Sequence, residues 1–395
     1  MKSFICSCLS VALVSLVAGS TVAQIERIDP DRGTGSAQAV IVDDLPLIHT
    51  RQIFPFENDR PLVRDDARKQ TEALLQQLQE TLRRSKSDLT NAVKLNWYLK
   101  EDGLRPAVEQ VIAERFRDAG PAVTYTASES SESGVVVSLD AIAVSTAVGT
   151  KEVAFGSFGK QGVAEYAVVP PGPRIYISGM ADTNELVTAT RKTLEKLMAA
   201  AAHLGVGTQD VVQLKAFVQP MSRAADVQAE IIRFFGRKTP PLVFVEWISP
   251  APNPPIEIEL IAAGELGLST SQESVSFLTP PGTTSTKVFS RVARVNHGKV
   301  IYYSGSYGGA DRSGADQTKA LFESLKPILA KTGTDLEHLV KATYYVSDDD
   351  AGNALNDVRL QFFNPQRPPA ASKAKVKSVG SPGRTICVDL MAAMK

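Results

Sequence analysis

The chain has 395 residues, of which 43% are hydrophobic and 22% charged, so its composition is that of an ordinary globular protein. Its 43 Lys and Arg residues balance its 43 Asp and Glu residues, which leaves no overall positive field to attract nucleic acid. We therefore expect no nucleic-acid partner. The length allows about two to four domains.

The amino terminus has the layout of a secretory signal peptide. Lys2 precedes an apolar run from Val11 to Val17, and small residues follow as far as Ala23. A membrane anchor is the alternative, but the run is shorter than the roughly 20 residues that span a bilayer. We predict a signal peptide over residues 1–23, export to the periplasm or the outside, and no membrane attachment after cleavage. Only Cys387 then remains, which excludes an intrachain disulfide.

The first predicted elements follow a polar segment, residues 24–40, which is rich in turn formers and is expected to be an irregular lead-in. A helix places Leu74, Leu78 and Leu82 on one face, and a strand alternates from Val93 to Leu99. A second helix begins after Pro106, where proline is well tolerated. Two strands, 123–127 and 135–144, complete this unit.

The same order of elements occurs twice more. Val212 lies 119 positions after Val93, and Val340 lies 128 positions after Val212, which is a spacing of domains and not of solenoid repeats. The second unit has strands at 174–178, 243–248 and 256–262, and the third has strands at 300–304 and 385–391. Pro327 is expected to kink or interrupt the long helix of the third unit.

This pattern predicts an α+β protein with the helices on one face of each mixed sheet. The predicted domains are 41–148, 149–265 and 283–395, joined by Gly- and Ser-rich segments near 145–162 and 264–282. The other face of each sheet must be covered by a neighbour. We therefore expect the three units to close around a common axis.

Several short runs resemble the RidA-like reactive-intermediate deaminases, also called the YjgF or L-PSP family. The runs RIYISG at Arg174–Gly179 and VIYYSG at Val300–Gly305 are similar to the family's apolar strand ending in Ser-Gly. Each is followed in family order by a Phe-Phe pair and a closing strand, namely Phe234-Phe235 with Ile256–Glu259, and Phe362-Phe363 with Ile386–Asp389. The first unit is the most divergent, supported by its order of elements and by Leu139–Ala143.

The resemblance implies a fold similar to trimeric chorismate mutase, in homotrimers whose sites lie between subunits. For this chain it implies three tandem RidA-like sandwich domains that form an intramolecular pseudo-trimer, monomeric in solution. A symmetric trimer carries identical sites, whereas a tandem fusion can carry three different ones.

The family's chemistry, hydrolysis of 2-imino acids, uses an arginine that clamps the substrate carboxylate and a glutamate that positions water. The resemblance puts the arginine position at Val123 in the first unit, at Leu242 or Val243 in the second, and at Ala371 in the third. None of these is an arginine, which argues against ordinary 2-imino acid turnover. Other arginines that could replace the clamp are Arg174, Arg237, Arg367 and Arg384.

The glutamate position corresponds to Ser138, Glu257 and Cys387, so Glu257 is the candidate catalytic base. The hydroxyl position corresponds to Thr50, Ser178 and Ser304, and the family's tyrosine to Tyr166 and Phe289. The candidate substrate-binding residues are therefore Tyr166, Ser178, Ser304 and Cys387.

Each candidate has a structural alternative. Glu257 and Glu259 lie on one strand face and could both face water. The serines could belong to turns, and Cys387 could be a small buried apolar residue. The four histidines are scattered singly, so we expect no metal site, and we expect no cofactor.

Three functions remain open on the sequence alone. The first is an exported RidA-like protein that binds a small metabolite in an inter-domain cleft, most plausibly the one containing Glu257. The second is a deaminase-type hydrolase of altered specificity that uses Glu257. The third is an interaction module without small-molecule chemistry.

Overall fold

The computed structural model describes residues 25–57, 60–61, 63–147, 151–159, 162–248, 253–265 and 271–395. The predicted signal peptide, residues 1–23, lies outside this part of the chain. The fold is α+β, as predicted. Across the described ranges, no helix is long and apolar enough to cross a membrane.

In its described part, the first third of the chain contains eight strands and two α-helices. In chain order these are β1 Ile25–Asp31, β2 Ser36–Val42, β3 Leu47–Thr50, β4 Phe56–Glu57, β5 Arg60–Pro61, α1 Ala67–Arg84, β6 Ala92–Leu99, α2 Arg105–Phe116, β7 Ala122–Ala127 and β8 Val137–Val144.

Helix α1 confirms the prediction made from its apolar spacing. Leu74, Leu78 and Leu82 are buried on its inner face, and the side chain of Asp66 caps its first turn by accepting a hydrogen bond from the Lys69 N–H. Helix α2 is also confirmed, with Pro106 in its first turn. The prediction of an irregular lead-in is wrong. Residues 25–42 form the antiparallel pair β1–β2, which turns at residues 32–35 with Gly35 at a positive φ.

The second third repeats this order and adds one short strand inside the predicted linker near 145–162. Its elements are β9 Ala154–Phe155, β10 Tyr166–Val169, β11 Arg174–Asp182, α3 Leu186–Ala202, β12 Val211–Val218, α4 Ala224–Phe235, β13 Leu242–Glu246 and β14 Ile256–Ala263.

The last third likewise begins with a strand inside the predicted linker near 264–282. Its elements are β15 Val275–Leu278, β16 Val292–Val295, β17 Val300–Tyr303, β18 Ser306–Tyr307, α5 Gly314–Lys331, β19 Leu339–Val346, α6 Asp349–Phe362, β20 Ala370–Lys375 and β21 Ile386–Ala393. Helix α5 continues through Pro327, so the expected interruption does not occur.

The strands form three arrays of six with one common order. The first array is β7-β6-β8-β3-β10-β9, the second is β13-β12-β14-β11-β16-β15, and the third is β20-β19-β21-β17-β2-β1. The first and third are joined into one 13-stranded sheet, which includes β18, by the single pair Ala37 and Ala122. The small pair β4–β5 stands apart.

Each array takes its last two strands from another third of the chain. Strands β9 and β10 of the second third complete the first array, where β10 pairs with β3. Strands β15 and β16 of the last third complete the second array, where β16 pairs with β11. Strands β1 and β2 of the first third complete the third array, where β2 pairs with β17. The exchange therefore closes in a ring.

Every array buries its two helices on one face, which gives three separate cores: α1 and α2 on the first, α3 and α4 on the second, α5 and α6 on the third. The opposite faces pack against one another. Val93, Val212 and Val340 meet there in a shared core, and Tyr98, Phe217 and Tyr345 meet in another.

Buried ion pairs cross this shared interior. Lys341 Nζ lies 2.6 Å from Glu259 Oε1, and Lys94 Nζ lies 2.7 Å from Asp389 Oδ1. All four side chains are almost inaccessible to water, and each pair joins two different thirds of the chain. Glu259 therefore does not face water, so that structural alternative is wrong for it.

Candidate functional site

The strand registers identify the equivalent positions of the three arrays. Ser138, Glu257 and Cys387 lie opposite Tyr98, Phe217 and Tyr345 in the corresponding ladders. In the neighbouring parallel ladders, three further equivalent pairs are found: Val123 lies opposite Leu95, Leu242 opposite Leu214, and Ala371 opposite Ala342. Leu242, and not Val243, is therefore the counterpart of Val123 and Ala371.

Ser178 and Ser304 make the same two hydrogen bonds in their arrays. Ser178 Oγ donates to the Ser290 carbonyl at 2.6 Å and accepts from the Ala371 N–H at 2.8 Å. Ser304 Oγ donates to the Ala37 carbonyl and accepts from the Val123 N–H, both at 2.7 Å. Each hydroxyl gives its one proton to the protein, so both serines connect strands from different thirds of the chain.

The first array has an arginine at this position. The N–H of Arg51 donates to the Glu165 carbonyl, as the N–H of Ser178 donates to the Arg291 carbonyl. Thr50, which the sequence suggested, lies one residue earlier, and its hydroxyl accepts the Ala141 N–H within the same array. The assignment of Thr50 to the hydroxyl position is therefore wrong.

Glu257 lies where the second array meets the last third of the chain. Its side chain is partly buried and packs against Gly179, so closely that a Cβ at Gly179 would overlap Oε1 of the carboxylate. The hydroxyl of Ser372 accepts the Gly179 N–H at 3.1 Å and also bonds the carboxyl group. Gly179 is thus required by the position of Glu257.

Burial and the nearby charge of Glu259 raise the pKa of Glu257 to about 7, although Ser372, Arg291 and Lys373 favour the charged form. A carboxyl group with a pKa near neutrality exists in both protonation states at physiological pH. It can therefore accept or donate a proton, or orient a water molecule.

Arg291 is a residue of this site that the sequence did not point to. Its Nη1 donates to the Gly179 carbonyl at 2.8 Å, and its Nε donates to the Thr284 carbonyl at 3.2 Å. It directly precedes β16, the strand with which the last third completes the second array. Gln38, Glu165 and Arg291 occupy one equivalent position in the three arrays, and only the last is basic.

A cavity of about 380 Å³ opens beside Gly179 and Arg291. Its walls come from the end of β11, from helix α3 and from the loop 281–284, and include Met180, Ala199, Ala200, Pro281 and Thr283. Lys196 also lines it and is paired with Asp182 at 2.7 Å. The lining of the cavity is therefore mixed, with apolar side chains beside hydroxyl and basic groups.

The equivalent place in the first array is filled by Gln52, the counterpart of Gly179. Gln52 Nε2 donates to Ser138 Oγ at 2.9 Å, and its Oε1 accepts the Phe244 N–H at 2.9 Å. Gln52 is 7% exposed. In the first array the long side chain of Gln52 stands where the second array has Gly179, and the short Ser138 stands where it has Glu257. Gln52 therefore closes the cleft.

The third interface is closed as well. Cys387 is fully buried, and burial raises the pKa of its thiol to about 12. Tyr307 lies beside it and is flanked by the guanidinium groups of Arg105 and Arg384. Cys387 has no accessible surface, so its assignment as a substrate-binding residue is wrong. Ser304 is partly exposed, and its hydroxyl is occupied by the Ala37 carbonyl and the Val123 N–H.

Tyr166 is not brought to Glu257. It lies in β10, paired with Thr50 in the first array, whereas Glu257 lies in the second. The four arginines proposed as substitutes also lie elsewhere. Arg174 contacts Asp44, Arg367 contacts Glu273, Arg384 contacts the Gly308 carbonyl, and Arg237 is exposed after α4. Ser178 alone of the substrate-binding candidates accompanies Glu257.

The geometry of the described residues defines an α+β protein in which one of the three equivalent positions, that of Glu257, lies beside a cavity, whereas buried side chains occupy the other two. Comparison with protein families adds a name to part of it: residues 283–394 match the family described as Endoribonuclease L-PSP. This segment is therefore RidA-like. Among curated proteins, no relative matches the chain.

Solved structures of the same family align with about a quarter to a third of the chain. YyfB of Yersinia pestis, from the Rid family, is 19% identical over 31% of this chain and 100% of its own, with a TM-score of 0.29. NMB1025 of Neisseria meningitidis, a YjgF family member, is 20% identical over 31% and 95%, with a TM-score of 0.24. Rv2704 of Mycobacterium tuberculosis is 24% identical over 24% and 79%, with a TM-score of 0.22.

Proposed function

We propose that this is an exported RidA-like protein that binds one small metabolite in the cleft of Glu257. In this proposal the predicted domains 41–148, 149–265 and 283–395 are three tandem RidA-like units, and they close into an intramolecular pseudo-trimer that is monomeric in solution. The common strand order of the three arrays and the ring of exchanged strands support this arrangement.

The observation that carries the proposal is the setting of Glu257. A carboxyl group whose pKa is about 7 lies against a glycine, at a junction between two thirds of the chain, beside a cavity lined by both apolar and basic side chains. Perturbed carboxyl groups next to concave apolar surfaces are characteristic of ligand-binding and catalytic sites.

The two closed interfaces predict the stoichiometry. Gln52 fills the first, and Tyr307 with its flanking arginines fills the third. We therefore expect one ligand per chain, where a symmetric trimer would bind three.

Hydrolysis is the second candidate function, and the pKa of Glu257 favours it over binding alone. A carboxyl group poised near neutrality can hold an attacking water and pass its proton to a leaving amine. Val123, Leu242 and Ala371 leave the family's arginine position without a guanidinium, so the substrate would differ from the usual 2-imino acids. An interaction module without a ligand is the remaining alternative.

The test combines ammonia release from freshly generated imines with a thermal-shift screen of small metabolites. The mature protein is compared with Glu257→Gln and with Glu195→Gln, a matched control on the exposed face of α3. Ammonia release that is lost only in Glu257→Gln supports the hydrolase. A thermal shift lost only in that variant, without ammonia, supports binding. If neither ammonia release nor a thermal shift is observed, both functions are contradicted and the interaction module remains.

A further inference from the structure

The guanidinium group of Arg291 is held by the protein but only partly used. Two of its five N–H bonds point to the carbonyls of Gly179 and Thr284. These contacts fix the plane of the group, and the ring of Phe289 lies 5.2 Å from its central carbon. Three donors remain for another acceptor.

The charge of Arg291 also lacks a fixed partner. Among the described residues Arg291 forms no ion pair, and Glu257 is the acidic side chain whose charge acts on it. The Lys196 ammonium, on the same cavity, is already paired with Asp182. Arg291 is therefore the cation on the cavity wall whose charge is available to a ligand.

The cavity walls suit a short apolar chain. Apolar surface comes from four lining residues, Met180, Ala199, Ala200 and Pro281. The cavity volume of about 380 Å³ lies at the lower end of the range for small-molecule sites. A ligand whose anionic group contacts Arg291 could thus place an apolar chain between α3 and the loop 281–284.

We propose that Arg291 binds the anionic group of the ligand of the Glu257 cleft, and that the cavity beside it holds the ligand's short apolar chain. This inference rests on the proposed function. The position differs from the apolar residues Leu242 and Ala371, because Arg291 comes from the strand that the last third contributes to the second array. The complete site therefore needs residues from the second third and from the last third of the chain.

The experiment measures the binding of butyrate and of butyramide, its neutral isostere, to the full mature chain by NMR titration at about pH 6. Wild-type protein is expected to bind butyrate at least about tenfold more tightly than butyramide, because a guanidinium pairs with a carboxylate and not with an amide. Arg291→Gln should reduce this ratio to about one. Arg291→Lys, which keeps the charge but loses the planar fork, should retain part of it.

Arg237→Gln, at an exposed arginine outside the cavity, is the matched control and should leave the ratio unchanged. A ratio that survives Arg291→Gln, or no saturable binding of butyrate by the wild type, overturns the inference. If Glu257→Gln abolishes metabolite binding while Arg291→Gln keeps the preference for butyrate, the proposed function stands and this inference fails. Should Arg291→Gln not fold, the ratio measured with Arg291→Lys decides, since an unchanged ratio there contradicts a bidentate clamp.

Discussion

Gly179 and Glu257 are structurally coupled across the β11–β14 ladder. The carboxylate occupies the space that any side chain at position 179 would take, so the residue before Met180 must be a glycine for Glu257 to keep its place. In the first array the relationship is inverted, with Gln52 long and Ser138 short. One pair leaves a cleft with a carboxyl group, and the other closes it.

Gly179→Ala should therefore displace the Glu257 carboxylate. We expect a loss of ligand binding or turnover of at least about tenfold and a destabilisation below about 1 kcal/mol, because the methyl group meets only the end of the flexible Glu257 side chain. Activity and chemical denaturation check both. Gly103→Ala is the control, since a Cβ at Gly103 meets no atom within 4 Å. Equal behaviour of the two variants would contradict the coupling.

Glu257→Gln should change the pH dependence of stability. In the folded protein the carboxyl pKa is about 7, against an ordinary value of 4.5, so the folded state retains a proton that the unfolded state loses. The contribution of Glu257 to the free energy of unfolding therefore falls as pH rises from about 4.5 to 7, by up to about 3 kcal/mol.

Glutamine removes this ionisation cost. We expect Glu257→Gln to be more stable than the wild type at about pH 8 and to differ little from it at about pH 4.5. Urea unfolding at the two pH values measures the difference, with Glu195→Gln as the exposed control. A difference that is the same at both pH values would rule out the raised pKa.

The closed first interface can be tested by exchanging its pair of residues. Ser138→Glu alone should destabilise the protein by about 2 kcal/mol or more, because Gln52 already fills the space. Gln52→Gly in the same chain should recover much of that loss, since it recreates the arrangement of Gly179 and Glu257. A double-mutant cycle of unfolding free energies measures the coupling, and simple additivity would show that the two positions do not share one space.

Removing one partner of the buried pair Lys341–Glu259 should lower the free energy of unfolding more than removing both. Lys341→Met leaves a buried carboxylate without its cation, and we expect a loss of about 3–5 kcal/mol. Adding Glu259→Met should restore part of that stability. Thermal and chemical unfolding of the single and double variants test this, and a double variant less stable than Lys341→Met would contradict it.

Cys387 should be unreactive in the folded protein. Its thiol is inaccessible and its pKa is raised to about 12 by burial, so little thiolate exists at neutral pH. The mature chain should give no reaction with an aromatic disulfide reagent until denaturant is added, and then one thiol per chain. Rapid labelling of native protein would indicate an open third interface.

Much of the architecture could be predicted from periodicity. The face formed by Leu74, Leu78 and Leu82 predicted α1, and the alternation of Leu95, Trp97 and Leu99 predicted β6, because all six side chains face one core. The lead-in was missed because Asp29, Pro30 and Gly33 are turn formers, although the strands on either side of the turn satisfy their backbone groups by pairing with each other.

The site was only partly predictable. Glu257 could be found because the family resemblance assigns the glutamate position to it, and the equivalent residues Ser138 and Cys387 carry no carboxylate. Arg291 could not be found, because its role depends on which array its strand joins, and strand exchange leaves no local pattern. Tyr166 was misplaced for the same reason, since β10 pairs with the first array and not with β11.

The ring of exchanged strands also sets an order of events in synthesis. Strand β2 pairs with β17, so Val42 cannot pair until Val300, its partner in the ladder, has been synthesised some 250 residues later. A nascent chain thus carries an unpaired β1–β2 ribbon until the last third emerges, and long-range pairing of this kind slows folding. The β1–β2 ribbon is thus made early and is among the last segments to find its partner, which makes it the part of the nascent chain most in need of protection from aggregation.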